Sequence, residues 1–146
     1  PAGAAAPNWQ AASPARPAVE IADGLDLSIG ALRLQFLYVP VHADDHVTVY
    51  ETTHQILITG DLVFVGKVGG TRTDADARVE WQSLQRVLHT FPDAATVWPG
   101  HDYGGRPSST IALEKRTNPF LLCPDLEAFL RMKRDWPEYK KRLGLK

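Results

Sequence analysis

Three short apolar runs in this chain each break on proline or glycine and then present a metal-ligand residue type. That repetition constrains the fold more than any other feature. The sharpest case is Ile56-Leu57-Ile58-Thr59-Gly60-Asp61, where Gln55 to Ile58 reads as a buried strand and Gly60 breaks it before a carboxylate. Thr96-Val97-Trp98-Pro99-Gly100-His101-Asp102 repeats the pattern, and Tyr38-Val39-Pro40-Val41-His42 gives it a third time. A strand end is a rigid place to hold a functional group. The three residues so presented, His42, Asp61 and His101, are nitrogen and oxygen donors of the kind that bind zinc and its neighbours.

The bounds set by composition fit one ordinary globular domain. A chain of 146 residues is long enough for one domain with its own core. Its net charge of −1 gives no support to capture of nucleic acid or of a membrane surface. No apolar run approaches the roughly 18 residues that a membrane helix needs. The single cysteine, Cys123, excludes an internal disulfide and fits a reducing, cytoplasmic compartment. Residues 1–18 are rich in Ala and Pro and read as a flexible linker or remnant, since such a segment buries too little apolar area to order itself. A start at Pro1 instead of Met suggests a processed chain or part of a longer product. Residues 19–146 form the expected domain.

Within that domain, Leu25, Leu27 and Ile29 alternate with polar residues, turn at Gly30, and are followed by a second alternating run from Leu32 to Phe36, which predicts a hairpin. Val47 to Tyr50 predicts a further strand, and residues 62–71 a loop, its Gly66 to Thr71 part mobile. Thr73-Asp74-Ala75-Asp76 predicts a capping box, opening a helix with Ala77, Trp81, Leu84 and Leu88 on one face. Pro92 ends it. Ala95 to Trp98 is the next strand, and Ser109 to Arg116 a helix stopped at Asn118-Pro119. Asp125 to Arg134 predicts a third helix with Leu126, Phe129, Leu130 and Lys133 on its inner face, and Trp136 to Arg142 a short basic one. Strands first and helices interleaved later predict a layered α/β domain.

The wording and order of these segments resemble the later motifs of the metallo-β-lactamase-fold hydrolases, in the branch that includes glyoxalase II and the persulfide dioxygenases. Val39-Pro40-Val41-His42-Ala43-Asp44-Asp45-His46 resembles a segment whose His binds metal. Thr59-Gly60-Asp61 resembles the segment whose Asp bridges two metals, and Pro99-Gly100-His101-Asp102-Tyr103-Gly104-Gly105 the one whose His completes the second. Ser108 to Ile111 and Lys115 to Phe120 extend the likeness, which covers residues 19–146. It implies an αββα sandwich, here mainly its C-terminal half. It implies two zinc ions per intact site, with iron as the alternative, and a metal-activated water attacking a small thioester or ester. Asp61 is the catalytic ligand by this reading, and Asp45, His46 and Tyr103 stand behind the ligands or on the substrate side.

Two departures matter. The chain has no His-x-His-x-Asp-His segment, which in the family supplies ligands to both metals. His42-Ala43-Asp44-Asp45-His46 is a poor substitute, because a strand follows it where the family has a helix. Val41 also replaces a glycine, which predicts an altered loop if that backbone were left-handed. The chain therefore reads either as part of an enzyme completed by an N-terminal half or by self-association, or as a non-catalytic half-fold used for binding. Gly66 to Thr71 is not a phosphate loop, since it lacks the required spacing before a helix. His54 and His89 read as surface residues, and the basic C-terminus as a solvated face.

Overall fold

The computed structural model describes residues 19–41, 43–103 and 105–144. The segment read as a linker, residues 1–18, lies outside the described residues, and so does His42. The first six elements are strands: β1 (Asp26–Ile29), β2 (Leu32–Tyr38), β3 (Val47–Glu51), β4 (Ile56–Gly60), β5 (Val63–Phe64) and β6 (Lys67–Val68). Then come α1 (Asp74–Thr90), β7 (Thr96–Pro99), β8 (Ser109–Thr110), α2 (Ile111–Thr117) and α3 (Leu126–Leu143). No helix among the described residues is long and apolar enough to cross a membrane.

Six strands make one sheet in the order β1-β2-β3-β4-β7-β8. The first four pair antiparallel in sequence order, and β1–β2 is the hairpin that the alternating runs predict. β4 and β7 pair in parallel, which requires a crossover connection; α1 supplies it. The expected capping box is present, with Thr73 Oγ1 accepting from Asp76 N and Asp76 Oδ2 accepting from Thr73 N, both at 3.1 Å.

Alternate residues of the strands, Leu37, Tyr50, Leu57 and Val97, pack beneath helix residues Leu84, Val87, Phe129 and Leu130. Burying each large apolar side chain there contributes about 1.5–3 kcal/mol. The intervening residues Leu34, Phe36, Val49, Ile58 and Trp98 occupy the other face and are half-buried or exposed.

The structure corrects three expectations. Residues 62–71 are not an irregular loop: Val63, Phe64 and Val68 are buried in a β5–β6 hairpin. The two C-terminal helices are one, α3, which runs through Pro137. Trp136 packs on Phe120 and stacks on Tyr139, with ring centres 4.7 and 5.4 Å away, which holds the helix on both sides of the proline. Val41 is not strained, since Gln55 is the one non-glycine with positive φ among the described residues.

Candidate metal centre

Parallel neighbours end at the same edge of a sheet, so β4 and β7 deliver Asp61 and His101 to one place. Gly100 N donates to Gly60 O at 2.8 Å and locks the two breaks together. His101 Nε2 then lies 3.5 Å from Asp61 Oδ1. Two donors on one tetrahedral ion with bonds of about 2.0–2.2 Å would lie roughly 3.3–3.6 Å apart. Donor types and spacing therefore fit a shared divalent metal.

The glycines before these residues are needed for space. Gly60 has φ +52°, and a Cβ there would lie 2.5 Å from His46 Nε2. A Cβ on Gly100 would lie 2.8 Å from Asp61 Oδ1.

His46 stands behind Asp61, accepting a long hydrogen bond of 3.4 Å from Asp61 N on Nε2. A neutral ring that accepts at Nε2 carries its proton on Nδ1, and that atom is buried without a partner among the described residues. Asp45 is not brought to the pair; it is exposed on the turn before β3. Among the described residues, no group of three or more His, Cys, Asp and Glu is gathered for a metal.

Asp61 and His101 open onto a cleft of about 560 Å³, lined also by Lys67, Tyr103, Lys133 and Trp136. Tyr103 packs between Phe64 and His101, with ring centres 5.1 and 5.3 Å away. The Lys67 ammonium sits 3.5 Å from the centre of the Tyr103 ring. Burial, helped by the charge of Lys140, lowers its pKa. A cation over an aromatic face beside two metal-ligand types suits an anionic, partly apolar ligand. A second groove of about 900 Å³ runs past Cys123, Met132 and Tyr139 and includes neither member of the pair.

Three buried residues, Glu80, Glu114 and Asn118, and the partly buried Lys133 support this cleft and were not singled out as site residues from the sequence. Glu114 Oε2 accepts from Gly66 N and from Asn118 Nδ2, each at 2.9 Å, and Asn118 Nδ2 also donates to Lys67 O at 3.0 Å. These contacts fix the turn that carries Lys67. Glu80 and Lys133 pair beneath the other end of the hairpin. The available signal was a charge on an apolar helix face: Glu80 falls on the stripe of Ala77 and Leu84, and Lys133 on that of Phe129 and Leu130. His54 and His89 bond locally, to Glu51 at 2.8 Å and to Gln85 O at 2.6 Å.

Comparison with known proteins gives the family of the fold. Residues 4–101 match the metallo-β-lactamase superfamily. The human mitochondrial persulfide dioxygenase ETHE1 is 30% identical over 106 residues, spanning 70% of this chain and 41% of that protein. A Francisella tularensis hydroxyacylglutathione hydrolase is 30% identical over 89 residues, spanning 60% of this chain and 35% of the relative. The crystal structure of ETHE1 from Myxococcus xanthus superposes with a TM-score of 0.70 at 35% identity, covering 81% of this chain and 52% of that one. TTHA1623, solved in a di-iron-bound form, gives 0.56 at 35% identity over 74% of this chain and 50% of that one. The chain thus spans about half the length or less of the relatives it matches.

Proposed function

The chain belongs to the metallo-β-lactamase superfamily, and from that premise we propose that its cleft is part of a metal-dependent hydrolase site acting on a small thioester or ester. The observation that carries the reading is the 3.5 Å approach of His101 Nε2 to Asp61 Oδ1 at adjacent strand ends. Asp61 and His101 are the proposed ligands, with His42 a further candidate by its motif. The metal is zinc or iron, and when bound it supplies Lewis acidity to a carbonyl oxygen and to water. Tyr103 and Lys67 offer an aromatic wall and a positive charge to an anionic acyl carrier. That arrangement supports the thioester reading, since a hydroxyacylglutathione hydrolase is among the relatives.

The proposed ligand set is short, because metal affinity depends on ligand number and preset geometry. The remaining ligands are proposed to come from a layer packed on the open apolar face of the sheet, either the half of the fold that the relatives carry and this match does not span, or a second copy. The likeness to ETHE1 favours one other reading, iron-dependent oxidation of a persulfide.

The test is an assembly of this chain with the N-terminal half of a close relative, loaded with zinc or with iron. Thioester hydrolysis that is lost in Asp61→Asn and kept in His54→Ala supports the proposal. Oxygen uptake with a persulfide and no hydrolysis moves the assignment to the dioxygenase reading. No activity and no metal uptake by an assembly that folds leaves a non-catalytic binding module.

A further inference from the structure

Glu80 is completely buried on the inner face of α1, and its carboxylate is in contact with the ammonium of Lys133 on α3, a side chain that is itself 10% exposed. Among the described residues, neither Glu80 oxygen receives an aligned hydrogen bond. Burial pushes the Glu80 carboxyl up to about 7 against the pull of Lys133. A buried ion pair of this kind is a poor way to join two helices. Apolar residues of similar volume hold such an interface as well or better, and Trp81 and Phe129 already meet there with ring centres 5.1 Å apart.

What the pair does touch is the site. Lys133 Nζ donates to Gly69 O at 2.6 Å. Gly69 is wedged between the two groups that matter: a Cβ there would lie 2.3 Å from Asp61 O and 2.9 Å from Glu80 Oε1. Gly69 N donates in turn to Leu62 O at 3.2 Å, on the residue after Asp61. Contact therefore runs without a gap from the Glu80–Lys133 pair through Gly69 to the main chain of Asp61.

We propose that Glu80 and Lys133 are positioning residues for Asp61: the ammonium holds the Gly69 carbonyl, Gly69 holds the Asp61 main chain, and the Asp61 carboxylate thereby stays opposite His101. The contact chain stands by itself; its consequence for metal binding rests on the reading of Asp61 and His101 as ligands.

The decisive variant is the double replacement Lys133→Met with Glu80→Leu. It removes both charges at nearly constant volume, whereas either replacement alone leaves a buried charge unpaired. A pair that only joins the helices predicts an unchanged or raised urea midpoint, with amide exchange at Gly69 and Asp61 and zinc binding as in the wild type. The positioning role predicts an unchanged or raised urea midpoint, with Gly69 and Asp61 amides exchanging about tenfold faster for the loss of one charge-assisted hydrogen bond. It also predicts zinc affinity at Asp61 and His101, read from NMR shifts on titration with zinc alone, lower by a similar factor.

Gly69→Ala is the second arm, and it leaves both charges in place. It should shift the Asp61 and His101 resonances and weaken zinc binding. A double variant that folds with wild-type exchange at Gly69 and Asp61 overturns the proposal. A Gly69→Ala chain whose Asp61 resonance does not move overturns it too. If the wild type shows no zinc shift at Asp61 and His101, the metal reading fails, while the exchange rates still decide the positioning role.

Discussion

On one face of the sheet Leu37, Tyr50, Leu57 and Val97 are sealed under the helices. One residue further along the same strands, on the opposite face, Ile58 is 50% and Trp98 44% exposed. The open face is apolar in its own right. Phe36 pairs with Val49, Val49 with Ile58 and Ile58 with Trp98 in unbroken cross-strand register. A sheet meant to face water alternates apolar with polar residues, whereas a strand apolar on both sides belongs between two layers. Exposed apolar patches of this kind mark interaction surfaces. Asp61 and His101 each follow three residues after Ile58 and Trp98, so the open face leads directly to the site.

The largest expected effect is on the covered face. Leu57→Ala should cost about 2–5 kcal/mol in urea unfolding, because Leu57 is fully buried and its cavity cannot collapse freely. Ile58→Ser, its neighbour on the open face, should stay within about 0.5 kcal/mol of the wild type. Equal costs for the two would show that the open face is covered in this chain and would break the comparison.

A smaller effect is expected where the two faces meet at the site. Gly60→Ala should cost about 1–3 kcal/mol, combining positive φ with the clash on His46. Gly66→Ala also has positive φ but open space around it, so it should cost less, about 1 kcal/mol. The two urea midpoints in parallel separate backbone strain from the contact with His46.

Glu51, in line with Leu34 and Ile56 at the end of the sheet away from the cleft, should reveal itself through pH. Burial raises its pKa, but the amides of His54 and Thr53 and the His54 ring outweigh burial and hold the carboxyl at about 2, below its ordinary 4.5. A lowered carboxylate contributes stability above the unfolded pKa and loses it as pH falls through the folded one. The stability gap between wild type and Glu51→Gln should therefore be constant above pH 4.5 and close towards pH 2. A gap that persists at pH 2 would remove this turn from the account.

The smallest effect on folding should accompany a clear effect on association. Ile58→Ser with Trp98→Ser should leave the urea midpoint nearly unchanged while lowering hydrophobic-dye binding and any dimer seen by light scattering. A wild type that is monomeric and binds no dye would contradict an open apolar face.

Much of this architecture was legible in the residues. Alternation marked the β1–β2 hairpin, Thr73 and Asp76 marked the start of α1, and strand-then-glycine marked the ends of β4 and β7 where Asp61 and His101 meet. The fate of residues 62–71 was not legible, because their order comes from distant groups: Glu114 and Asn118 on one side, Lys133 on the other. Glycine-rich wording suggests motion, yet Gly69 serves close packing against Asp61, and Gly66 supplies the positive φ of the hairpin turn. The single helix α3 was hidden for a similar reason. Pro137 signals a stop locally, and aromatic packing of Trp136 overrides it.

The central claim is that Asp61 and His101 are two ligands of a metal site to which this chain contributes. The most direct measurement is titration of the isolated chain with zinc, followed residue by residue in NMR spectra of wild type and Asp61→Asn. The account predicts weak binding, fewer than two ions per chain, with shifts centred on Asp61 and His101 and abolished in Asp61→Asn. Shifts that centre on His54 or His89, or that survive unchanged in Asp61→Asn, would contradict it.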